Sequence, residues 1–249
     1  MVKTLLKGKA SRIFDKSKYI ILPERSHGSH SYDDIYVAKN RLEADNLVKK
    51  TARSLGFGVS NMGLNLNERL FIGNIDWNEA LKLNLVLGGE TLSIRRFIDF
   101  KELLEYGIKG GKVYHGTGKQ MQDLREIRAI YEEIFAKKNP WRGEHLDAHF
   151  EKKSGELYIA YDHYLGNDEL IPKISEKLEE GTMCSGKLES ISYNAQGLPF
   201  LQEEIYFGNP LNGSVARFVA NSGRADLNCF RYPADTVSSL GVRHARKRF

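Results

Sequence analysis

Hydrophobic positions in this chain change their spacing partway along it. Between residues 76 and 135 apolar side chains recur every three or four positions, and beyond about 145 they fall in short alternating runs. The first spacing predicts helices and the second predicts strands. Asp76 precedes Trp77, Ala80, Leu81 and Leu85, with Glu79 three residues on, which predicts a capped helix ending at Gly88-Gly89. Ile94, Phe97, Ile98 and Leu104 predict a second helix. Leu124, Ile127, Tyr131 and Ile134 predict a third, stopped before Pro140. Upstream, Ser31-Tyr-Asp-Asp34 fits a capping box. Ile35, Ala38, Leu42, Val48, Ala52 and Leu55 follow it, predicting a helix over about 32–55 that Gly56-Phe-Gly58 ends. Lys18-Tyr-Ile-Ile-Leu-Pro23 reads as a short β run. The strand-like segments are His145 to Phe150, Leu157 to Tyr164, Lys187 to Ser192, Glu204 to Phe207, Val215 to Ala220 and Ala225 to Cys229, with a helical patch from Pro172 to Glu180. Helices first and strands afterwards argue for α+β rather than a parallel α/β sheet.

The alternation is cleanest near the C-terminus. Ala216, Phe218, Ala220, Ala225, Leu227 and Cys229 keep a period of two and form one face. The opposite face carries Val219, Asn221, Asp226, Asn228 and Phe230, which share no chemistry. A fixed scaffold with a changing display fits that contrast. With its closing run Ser239-Leu-Gly-Val-Arg243, the segment from Gly213 resembles the variable region of diversity-generating retroelement variable proteins. A weaker match runs from Ile75-Asp-Trp-Asn-Glu-Ala80 through Phe100, so the resemblance spans roughly 68–249.

That resemblance implies a C-type lectin-like fold, related to the formylglycine-generating enzymes, with short twisted antiparallel strands and two to four flanking helices. It divides the chain into an N-terminal segment, 1–67, packed on a main domain, 68–249, with a variable region at about 213–243. It also extends the display through the loop from Arg231 to Thr236. The surface so implied comprises Val219, Asn221, Gly223, Asp226, Asn228, Phe230, Arg231, Tyr232, Asp235 and Thr236. Arg217, Gly241 and Arg243 are expected as scaffold: the glycine for an unusual backbone angle, the arginines for holding loops. Mixed aromatic and amide side chains on a rigid support have the chemistry of a paratope. The expectation is a non-enzymatic binding protein whose partner is a macromolecule, in first place a protein.

Composition narrows the alternatives. A chain of 249 residues, 41% hydrophobic and 28% charged, is long enough to bury a substantial core. No apolar run reaches the 18 or so residues of a membrane span, and the opening Met1-Val-Lys-Thr-Leu-Leu-Lys-Gly-Lys lacks the apolar stretch of a signal peptide. The expected location is therefore cytoplasmic or on a virus particle. Two cysteines, Cys184 and Cys229, exclude a disulfide-dense scaffold and a four-cysteine zinc site. One disulfide between them stays open, but Cys229 sits in the inward set and reads as a buried free thiol. The basic residues Arg243, Arg246, Lys247 and Arg248 read as a solvated terminus rather than a nucleic-acid contact.

Catalytic signatures are weak. Gly111-Lys-Val-Tyr-His-Gly-Thr-Gly-Lys119 lacks the spacing of a phosphate loop and reads as a glycine-rich hairpin around Val113-Tyr114. His145, Asp147 and His149 share one face of a strand, a spacing that suits zinc or iron, yet reading that face as the wet side of a strand whose inward face is Leu146, Ala148 and Phe150 explains every residue without a cofactor. A metal-dependent enzyme through these three residues is the alternative. A second is an oxidase like the formylglycine-generating enzymes, against which stands Cys229 alone where those enzymes carry paired cysteines. The calcium motifs of sugar-binding lectins, Glu-Pro-Asn and Gln-Pro-Asp, do not occur. No catalytic residue, metal or cofactor is assigned.

Overall fold

The fold is taken from a computed structural model, which describes residues 14–28, 30–58, 71–137, 141–179, 193–198, 210–223 and 225–248. The described residues form a mixed α+β fold with a twisted sheet that does not close into a barrel. After a 3₁₀ turn at Lys16–Lys18 come β1 (Tyr19–Leu22), β2 (Arg25–His27), β3 (His30–Tyr32), β4 (Ile35–Arg41) and α1 (Asn46–Ser54). Then follow α2 (Trp77–Val86), α3 (Ile94–Ile108), β5 (Tyr114–His115) and α4 (Leu124–Phe135). The remainder is strand: β6 (Arg142–Lys153), β7 (Glu156–Gly166), β8 (Glu169–Lys177), β9 (Val215–Ala220), β10 (Ala225–Arg231) and β11 (Leu240–Lys247).

Nine strands join in the order β10-β9-β6-β11-β4-β1-β5, with β7 and β8 branching from β6. One side of β6 carries β9; the other carries β11 against Gly143 to His145 and then β7 from His149 onward. The β6–β11 pair is parallel and the other strand pairs of the sheet are antiparallel. Helices cover both faces. On one, Leu146, Ala148, Phe150, Ala216, Phe218, Leu227 and Cys229 pack with Phe97, Phe100 and Leu104 of α3 and Ile127, Ile134 and Phe135 of α4. On the other, Val242 packs with Val48 and Ala52 of α1 and Ala80 and Leu83 of α2, while Val215 lies under Trp77 and Leu81.

Three predicted helices match α2, α3 and α4, and Asp76 and Glu79 make the reciprocal bonds of a capping box at α2. The helix predicted over 32–55 does not form as such. Its first part is β4, and α1 starts only after Asp45, whose carboxylate accepts from the backbone N–H of Leu47 and Val48. Ile35, Tyr36 and Val37 are consecutive and all buried, because β4 runs inside the sheet between β11 and β1. A strand buried on both faces shows no period of two, and its residues then mimic a helical spacing. The helical patch at Pro172 to Glu180 is also corrected. Residues up to Lys177 belong to β8, which among the described residues pairs only with β7 and so is an edge strand, where proline costs no ladder bond.

The predicted strands at Lys187 to Ser192 and Glu204 to Phe207, Cys184 and Pro140 lie outside the described residues. So does the 67/68 boundary; N-terminal to it, residues 19–41 contribute β1 and β4 to the same sheet. Among the described residues no helix is long and apolar enough to cross a membrane.

Candidate functional site

The β9–β10 hairpin sets the site. Its register pairs Ala220 with Ala225, Val219 with Asp226, Phe218 with Leu227 and Arg217 with Asn228, then shifts before Arg231 meets Val215. Paired residues share a face. Phe218 and Leu227 therefore point to the α3–α4 core, where the Phe218 ring stands 5.1 Å from those of Phe97 and Phe135. Along the other face Val215 is covered by α2, but beyond it the helical layer ends. There Arg217, Val219, Asp226 and Asn228 line a concavity of about 470 Å³, with Asn221, Arg231, Asp235, Thr236, Val237 and Trp141 completing its wall.

Seven of the ten residues expected on the display surface meet in this cavity; Gly223, Phe230 and Tyr232 do not line it. Gly223 and Tyr232 are exposed, and Phe230 is half-buried with the Arg231 guanidinium 4.9 Å from its ring. Asp226 and Asn228 retain only 5% and 6% of their surface, so the polar face is the inside of a cleft rather than an open sheet. Sequence reasoning missed Trp141, Val237 and the role of Arg217. A charged residue inside the otherwise apolar run Val215-Ala-Arg-Phe-Val-Ala220 was the available signal.

Main-chain bonds hold the wall in place. Trp77 N–H donates to the Pro233 carbonyl at 2.9 Å, Asn74 N–H to Val237 at 3.1 Å and Gly143 N–H to Ser239 at 3.1 Å. A Cβ on Gly73 would stand 2.2 Å from the Ser238 carbonyl oxygen, so this close approach needs glycine. Gly241 is likewise required by contact, with the Ile72 carbonyl and the Phe71 ring 3.0 Å from where its Cβ would be. Its φ lies outside the left-handed region, which corrects the expected backbone-angle role.

The two scaffold arginines part company. Arg243 is fully buried: Nε and Nη2 donate to Glu144, Nη2 to Glu133 at 3.1 Å, and Nη1 to the carbonyls of Ala38 and Lys39. It is a core tether, not part of a basic terminus. Arg217 is 6% exposed, yet its Nε and Nη1 have no acceptor, so it holds no loop through them. Burial, then the neighbouring Arg231, push its pKa down to about 10, against a smaller opposing pull from Asp235.

His145 pairs across the sheet with Arg217. Its Nε2 lies 3.1 Å from the Ile75 carbonyl, which only accepts, so Nε2 carries the proton and Nδ1 is a bare lone pair without a partner. Burial holds its pKa near 4. The proposed metal face does not assemble. Asp147 accepts from the backbone N–H and Nδ1 of His163, and His149 lies beside the Trp77 ring. No group of three or more potential metal ligands occurs among the described residues. Cys229 is buried and free, its thiol pushed well above the usual range by burial. Comparison with protein-family models, with curated proteins and with solved structures finds no match to the chain.

Proposed function

We propose that this is a non-enzymatic binding protein that recognises a macromolecular ligand, a protein in the first instance, through the β9–β10 cavity and its rim. On this reading the sheet and its helices are the C-type lectin-like scaffold of a retroelement-diversified variable protein. The supporting observation is a division of labour. The backbone of the cavity wall is held by bonds from Asn74, Trp77 and Gly143, while Arg231, Asp235 and Thr236 contribute side chains that these bonds do not use. Substitution there changes the lining without loosening the wall. Asn221, Asn228 and Arg231 beside the exposed Tyr232 ring supply adaptable hydrogen bonding and rigid contact area.

A display library of the full chain, randomised at Asn221, Asp226, Asn228, Arg231 and Thr236, tests the reading. Most members are expected to stay protease-resistant, and selection against unrelated proteins such as lysozyme and ovalbumin to yield distinct binders for several. Widespread unfolding, or no enrichment, refutes it. The flanking DNA offers a second check: a near-identical template copy of the segment encoding 213–243 beside a reverse transcriptase is expected.

A further inference from the structure

Among the described residues nothing accepts from Nε and Nη1 of Arg217, and Asp235 offsets only part of its charge. An unpaired buried donor loses its water without gaining a partner, and the cost is greater when the donor is charged. Here two guanidinium nitrogens are unpaired in a residue that lines the cavity. Across the strand, His145 leaves Nδ1 bare, and as a neutral ring it supplies no counter-charge.

We propose that the cavity takes a carboxylate, the side chain of an aspartate or glutamate on a protein ligand, which docks on the Arg217 guanidinium. This rests on the reading of the cavity as the ligand site and names the ligand's chemistry. A planar carboxylate matches the donor fork of arginine, and its full negative charge opposite the guanidinium adds an attraction that a neutral carbonyl does not supply. The volume of about 470 Å³ admits one or two side chains. Asp226 and Asp235 stand in the same wall, and Asp226 already has an interaction within the protein. Their charges favour a single negative charge placed at Arg217 over a doubly charged phosphate. The depressed pKa of Arg217 agrees, since a bound carboxylate restores the compensation that burial removes.

The test is a titration of ¹⁵N-labelled full chain, following arginine Nε–Hε signals and, in the variants that lack Arg217, the backbone amides of the cavity residues Val219 and Asn228, with three probes: N-acetyl-glutamate methylamide, its glutamine analogue and inorganic phosphate. The glutamate probe is expected to shift the Arg217 signal saturably, with the glutamine analogue and phosphate each at least tenfold weaker. Arg217→Lys, which keeps charge but loses the fork, is expected to weaken the glutamate probe at least fivefold. Arg217→Met should abolish its binding. Equal response to glutamate and glutamine, tighter binding of phosphate, or an unchanged titration in Arg217→Met overturns the proposal. The comparison among probes needs only the unaltered chain, so it stands even where a variant misfolds. Failure of this titration with success of the randomised library refutes the carboxylate alone. Success here with failure of the library leaves an anion site and refutes the diversified surface.

Discussion

Replacing Arg243 with methionine removes every polar contact of one fully buried side chain. Glu144 then loses both guanidinium bonds, the carbonyls of Ala38 and Lys39 lose their shared donor, and Glu133 keeps only Arg41. Breaking a buried pair by deleting one partner costs about 3–5 kcal/mol, because the remaining charge stays desolvated. Against a total of about 5–15 kcal/mol, that is a large share. At about 2–4 °C per kcal/mol for a chain of this size, Tm should fall by about 6–20 °C. Urea unfolding at pH 7 measures it, and the double variant Arg243→Met/Glu144→Met should recover most of the loss, since an apolar pair of similar volume is often neutral. Acid response gives an independent reading. Burial pushes Glu133 up, but Arg243 and Arg41 together hold it below the usual carboxylate value. A depressed folded pKa adds stability above the unfolded value of about 4.3 and loses it as pH falls through the folded pKa. Without Arg243 that loss should begin at higher pH. A cost under about 1 kcal/mol, or a double variant no better than the single, refutes the reasoning.

His145 and His244 are both held near pKa 4, chiefly by burial, against about 6.5 unfolded. Their contribution is complete above pH 6.5 and disappears as pH falls from 6.5 towards 4, on the order of 3 kcal/mol each, so urea midpoints should drop between pH 7 and 5 and His244→Gln should flatten the slope. Phe218→Ala and Leu227→Ala should each cost about 2–5 kcal/mol by denaturant unfolding if both are core; a loss under about 1 kcal/mol contradicts that assignment. Asp99 accepts from Arg25, His27, Tyr32 and Arg95, so Asp99→Asn should release the β2–β3 hairpin, seen as faster amide exchange over residues 25–32. Arg217→Met removes unpaired donors and should leave Tm unchanged or raised by a few degrees; a fall of more than about 5 °C would show that Arg217 is scaffold after all.

What the sequence made legible follows from how local each interaction is. The capping box at Asp76 and the helical spacing of α3 and α4 are local, and so is the alternation of Val215-Ala-Arg-Phe-Val-Ala220; all were readable. β4 was not, because its neighbour β11 lies some 200 residues away and burial on both faces erased its period. The Arg41–Glu133–Arg243–Glu144 cluster was equally hidden, since 92 to 110 residues separate its bonded partners. The hairpin residues were found, but alternation reports only which face a side chain takes. It says nothing of what stands opposite, and so an open surface was expected where Trp141, Val237 and the 231–237 segment close a cleft.

On the proposed reading, Arg217 and Arg243 divide between recognition and stability. Both lie on strands that flank β6 and both are buried, Arg217 within an apolar run and Arg243 within a basic one. Arg243 has carboxylates and carbonyls on all three nitrogens, and its loss should lower stability without altering what the cavity accepts. Arg217 leaves two nitrogens unmet, a local cost that no folding argument requires and that a bound acceptor relieves. Sites tuned for binding commonly carry such unfavourable local arrangements, and stability is recovered elsewhere in the fold. Here the recovery lies in the main-chain bonds of the wall and the charge cluster behind it, neither of which uses the side chains expected to vary. On the proposed reading, a scaffold so arranged changes its lining repeatedly while its melting behaviour stays nearly constant.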